Sequence, residues 1–111
     1  MNLTYRDPSM SHDEAVKLLA SGVEANVISA LTSIGLNEAD RIWAQNVCID
    51  FLASETEAVA ASAITALGHL VRRCRKLDNE TVLGALSNAK HRFPKLEGVV
   101  ADTLDDIETF A

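Results

Sequence analysis

An all-α fold, arranged as a short α-solenoid of about three antiparallel helix pairs, is what this sequence predicts, and three observations carry the prediction. Capping signals recur at short intervals along a 111-residue chain that contains only five glycines and two prolines. No segment alternates apolar and polar residues over the length a strand needs. An apolar triplet also recurs: Ile28, Leu31 and Ile34 lie 36 residues before Ile64, Leu67 and Leu70, and Ala101, Leu104 and Ile107 follow 37 residues later. Spacing of i, i+3, i+6 keeps each triplet on one side of a helix. A helix pair recurring every 35–45 residues or so is the mark of stacked helical repeats.

The elements follow in order. Ser11-His-Asp-Glu14 has the pattern of a capping box, and the short helix it opens should run to Ser21-Gly22, where glycine permits a left-handed stop. A second helix is expected from Val23 to Ile34, stopping at Gly35. Asn37 is the expected cap of the third, with Glu38 and Asp40 in its first turn, and that helix carries Trp43, Val47, Cys48, Phe51 and Leu52. Ile42 and Ile49 fall opposite Phe51, which predicts packing on more than one face. Ser54-Glu-Thr-Glu57 repeats the capping-box pattern before a long fourth helix ending near Lys76. Its small residues Ala58, Ala60, Ala61, Ala63 and Ala66 should let neighbours approach closely, while Ile64, Leu67 and Val71 fill the interface. Asp78 is the expected cap of the fifth helix, which fades before Phe93-Pro94, and Pro94 suits the first turn of the sixth. The division is one domain, 1–111, with helix pairs at about 12–34, 38–76 and 79–110.

Composition narrows the function. A chain this long can bury roughly 65% of its unfolded surface, enough for a core without staples. No apolar run approaches the roughly 20 residues of a membrane helix, and Met1-Asn-Leu-Thr-Tyr-Arg-Asp-Pro8 has no apolar segment suited to a signal peptide, so a cytoplasmic protein is expected. Cys48 and Cys74 are far apart and fit no metal or redox spacing. The net charge of −6 disfavours attraction to phosphate backbones and favours a basic partner.

Ala66-Leu-Gly-His-Leu70, its approach Val59-Ala-Ala-Ser-Ala63 and the closing Ala101-Asp-Thr-Leu-Asp-Asp-Ile107 resemble short bacterial HEAT-repeat proteins, best from about Asp40 onward. Small acidic HEAT-like proteins of this kind also resemble the immunity proteins of toxin–immunity systems, including contact-dependent growth inhibition. That resemblance implies a cytoplasmic protein that binds a cognate toxin domain, commonly a nuclease, and blocks its active site. A nuclease needs a basic surface to hold nucleic acid, which an acidic inhibitor would complement. The rival reading is a HEAT-like interaction scaffold or regulatory adaptor.

No catalytic residue, cofactor site or metal cluster is expected. His69 falls on the polar side of the fourth helix with Ser62, Thr65 and Arg73, and nothing in its spacing supplies a catalytic partner. His12 lies in a first turn, and His91 sits between Lys90 and Arg92 at a helix end. The run Val71-Arg-Arg-Cys-Arg-Lys76 could suggest a nucleic-acid clamp, but it reads as the end of a helix, where cations offset the partial negative charge. On the last helix Val100, Leu104, Ile107 and Ala111 share one face, with Asp102, Asp105, Asp106 and Thr109 opposite. The resemblance places second helices on the concave side. Asp102, Asp105 and Asp106, with His69 and Arg73, are therefore the expected partner contacts.

Overall fold

The computed structural model describes residues 10–111; the amino-terminal stretch expected to lack a signal segment lies outside the described residues. The fold is all-α: α1 (His12–Leu19), α2 (Glu24–Asn37), α3 (Arg41–Leu52), α4 (Glu57–Cys74), α5 (Asn79–Arg92) and α6 (Glu97–Phe110). A 3₁₀ turn, Pro94–Leu96, leads into α6.

Local chemistry sets several of these boundaries. The Ser11 capping box forms: the Glu14 amide donates to Ser11 Oγ and the Ser11 amide to Glu14 Oε1, both at 3.1 Å. Two expected caps lie elsewhere. Asn37 is the last residue of α2, and Asp40 caps α3 by accepting from the Trp43 amide at 3.0 Å. Helix α4 opens at Glu57 without a capping box, because Ser54 Oγ instead accepts from the Thr56 amide in the preceding turn. At its far end Arg75 takes the left-handed stop, φ 55°, so α4 finishes two residues before the expected Lys76. The α5 amino end is held from outside: the Asp78 amide donates to Gln45 Oε1 at 2.7 Å, and Gln45 is buried on α3.

Gly35 is not a stop but a crossing point inside α2. A Cβ built there would lie 2.8 Å from both Ala66 Cα and Ala66 O on α4, closer than any real contact allows. Gly68 serves α6 in the same way, with Asp106 Oδ2 and Thr103 Oγ1 at 3.0 and 3.3 Å from its ideal Cβ. Residues 66 and 68 are about 200° apart around a helix. Helix α4 therefore lies between α2 on one flank and α6 on the other. Its core side (Ala60, Ala63, Ile64, Leu67, Leu70 and Val71) is sealed, with α3 packed beneath. Of the small residues expected to aid stacking, Ala60, Ala63 and Ala66 are buried, Ala61 is half-buried and Ala58 is exposed.

The third apolar triplet is out of register. Ala101 is exposed and Leu104 half-buried; the buried row of α6 is Val100, Thr103 and Ile107. At two positions a 36-residue spacing holds, Val100 answering Ile64 and Thr103 answering Leu67, whereas Ile107 answers Val71 rather than Leu70. Thr103 tolerates that buried position because its hydroxyl donates to the Ile64 carbonyl at 3.1 Å. On α3, Ile49 is half-buried but Ile42 stands 60% exposed, so the expected second packed face is only partly covered.

Candidate functional site

With α2 and α6 on its flanks and α3 beneath, α4 has one free side, and its polar residues gather there. Ser62, Thr65, His69 and Arg72 form a ridge with a groove on either side. The α2–α4 groove, about 180 Å³, is lined by Thr32, Ala61, Ser62, Thr65, Ala66 and His69. The α4–α6 groove, about 170 Å³, is lined by Thr65, His69 and Arg72 from α4 and by Val99, Asp102, Thr103 and Asp106 from α6. Thr65 and His69 belong to both.

The expected contact residues separate on this frame. His69, Asp102 and Asp106 meet in the α4–α6 groove. Asp102 is exposed, whereas the Asp106 side chain is only 17% exposed, drawn against the bare backbone of Gly68 and paired with Arg72 Nη2 at 3.0 Å. Asp105 is exposed and does not line the groove. Arg73 is elsewhere. Its Nε donates to the Gly35 carbonyl at 3.0 Å, and its Nη2 to the Glu38 and Ile34 carbonyls at 3.0 and 3.4 Å. It thus satisfies the Gly35 and Glu38 carbonyls at the end of α2, while that of Ile34 also accepts from the Glu38 amide.

Arg72 and Arg73 diverge because consecutive helix residues point about 100° apart. The first turns to α6 and the second to α2. The cations expected to offset their own helix end are thereby spent on its neighbours, and Arg75 lies over the Phe110 ring, 5.3 Å from its centroid. Counting charges along the sequence missed Arg72 as a groove residue. Thr103 was missed because an apolar pattern passes over a hydroxyl, and only strict 36-residue spacing would have flagged it.

Electrostatics favour a negative groove near neutral pH. Burial lowers the His69 pKa from its ordinary value, the Arg72 cation lowers it further, and Asp106 opposes them. His69 is therefore neutral at pH 7, leaving two carboxylates against one guanidinium. A third groove, between α3 and α5, is larger at about 390 Å³ and mostly apolar (Ile49, Leu52, Ala53, Ala85 and Ala89), ending on His91 and Arg92. His12 lies outside all three, stacked on Trp43 at 4.2 Å and 3.1 Å from Glu38 Oε1.

Cys48 is fully buried, and burial pushes its thiol up to about 12, far from a reactive thiolate. Among the described residues no three His, Cys, Asp or Glu side chains converge to hold a metal ion, and no helix is long and apolar enough to cross a membrane.

No family model matches the chain, and no curated protein does. Among solved structures, the chain is similar to one in the crystal structure of a CDI complex from Cupriavidus taiwanensis. The identity is 26%, the TM-score 0.70, and the match covers 98% of each chain. End to end, then, this all-α chain is similar in sequence and fold to a chain of a CDI complex.

Proposed function

We propose that this chain is the immunity member of a toxin–immunity pair: it binds a cognate toxin domain, a basic nuclease, in the cytoplasm and neutralises it by covering its active site. The full-length likeness to a chain of a CDI complex carries the reading. The net charge of −6 supports the inhibitor side of such a pair, since an acidic surface associates quickly with a basic one. In this reading the helix pairs stack as a short HEAT-like solenoid whose second helices, α2, α4 and α6, form the contact face. Asp102, Asp106 and His69 line its centre, and Asp105 extends the acidic surface along α6. Arg73 holds that face together without belonging to it.

The test pairs the chain with the toxin domain encoded beside its gene. Producing that domain alone should arrest growth, and co-producing this chain should restore it. The triple substitution Asp102→Lys, Asp105→Lys, Asp106→Lys should weaken binding strongly and flatten its salt dependence. Failure to protect cells would defeat the proposal. Tight binding without protection would favour the scaffold reading instead.

A further inference from the structure

We propose that the groove between α4 and α6 is the anchor pocket of that interface and receives one cationic side chain, an arginine or lysine, from the partner. The inference rests on the inhibitor reading and adds where and by what chemistry the partner is held.

Size is the first argument. At about 170 Å³ the groove is smaller than the roughly 300–1,000 Å³ typical of small-molecule sites, and on the scale of a single long side chain. Charge is the second. Asp102 and Asp106 face only one cation among the lining residues, Arg72, while His69 is neutral near pH 7. The pairing is also lopsided: the Arg72 side chain is 55% exposed, whereas that of Asp106 is 17%. The carboxylate is fixed against Gly68, and the Thr103 hydroxyl beside it is tied to the Ile64 carbonyl. Among the described residues the guanidinium is held by that one ion pair, and more than half of its side chain faces solvent. Exposed ion pairs of this type contribute little, so Arg72 is an exchangeable stand-in occupying a prepared acceptor.

An incoming arginine could bridge Asp106 and Asp102 with its planar fork, and arginine is enriched at interface hot spots. The larger α3–α5 groove does not suit the same guest, because it ends on His91 and Arg92.

The experiment is an amide-resolved NMR titration of the full chain with N-acetyl-arginine amide, and in parallel with its uncharged citrulline counterpart. The arginine compound should give saturable shifts centred on Thr65, His69, Asp102 and Thr103; the citrulline compound should not. Asp102→Asn should weaken the response about five-fold, the scale of an exposed ion pair. Arg72→Ala should strengthen it by removing the internal competitor. Glu108→Gln, an equal charge change at an exposed α6 position outside the groove, should leave it unchanged. An equal response to citrulline, or an equal loss in Glu108→Gln, overturns the proposal, as does an Arg72→Ala protein that binds no better. The neighbouring toxin domain separates the two readings. Arginine amide seated in the groove with no binding of the toxin domain would sink the inhibitor reading alone. Toxin binding indifferent to Asp102→Asn would sink the pocket alone.

Discussion

The helical glycines make the packing quantitatively testable, because one substitution should change sign between two positions. At Gly84, in the middle of α5, nothing lies within 4 Å of an ideal Cβ. Gly84→Ala should therefore show the intrinsic helix gain alone, about 1 kcal/mol of added stability. At Gly35 the same methyl would meet Ala66 Cα and O at 2.8 Å and Ala66 Cβ at 3.1 Å. Ordinary carbon contacts are about 3.5–4.0 Å, so α2 and α4 must part by roughly 1 Å. A gap of that size forfeits about a quarter to a half of the dispersion attraction wherever it opens, here along a seam whose residues include Leu31, Ile34 and Leu70, each at most 1% exposed. Overpacking of this kind costs about 1–3 kcal/mol, which the helix gain only partly offsets. Gly35→Ala should thus be destabilised by up to about 2 kcal/mol, while Gly84→Ala gains about 1. Urea unfolding with the slope held fixed reads the difference directly, and melting temperatures should separate by several degrees. Equal stabilisation at both sites would refute the close α2–α4 crossing on which the groove geometry depends.

Three further outcomes follow from other contacts. Arg73→Ala should lower stability by about 1–2 kcal/mol through the Gly35 and Glu38 carbonyls it leaves without this partner, and Arg73→Lys should recover only part, since an ammonium cannot span them as the guanidinium fork does. Full recovery in unfolding titrations would argue against the fork. With its thiol near 12 and its side chain fully buried, Cys48 should react with a disulfide reagent at pH 8 only at the rate of unfolding, while half-buried Cys74 reacts faster. Comparable labelling of both cysteines in the native protein would contradict this. For His69, whose folded pKa is depressed, the imidazole is neutral in both states well above 6.5 and contributes nothing there. As the pH falls below 6.5 the unfolded chain takes up the proton first, so stability declines until the lower folded pKa is passed. His69→Gln should flatten that part of the profile, and an unchanged acid slope would remove His69 as its source.

The fold class was legible because its signals are local. The Ser11 box and the fading of α5 before Phe93-Pro94 each depend on a few neighbouring residues, and both lie where local chemistry places them. What escaped depends on partners distant in sequence. A glycine near a helix end reads as a stop, and only the passage of Ala66 beneath Gly35 turns it into a crossing. Gln45 looks like an ordinary polar helix residue until the Asp78 amide arrives 33 positions later. Within the candidate site the acidity of α6 was visible, but not which carboxylates share a groove. Asp105 and Asp106 are adjacent in sequence, yet one is exposed outside the groove and the other is drawn against α4.

The cationic run at the end of α4 shows how charge in a sequence and charge on a surface part company. A phosphate-binding patch needs its cations to project together toward one ligand. Here successive residues leave the helix in different directions, and most meet a partner within the chain. Arg73 closes the end of α2, Arg72 faces the Asp106 carboxylate, and Arg75 covers Phe110. The first two leave α4 toward opposite flanks: Arg73 ties α2 to α4 through backbone carbonyls, while Arg72 makes a single, half-exposed pair with α6. The α2–α4 edge, braced by Arg73, should lose little conformational freedom on meeting a partner. With Arg73 turned onto α2 and Arg72 paired with Asp106, the charge available to a second molecule is more negative than the run suggests.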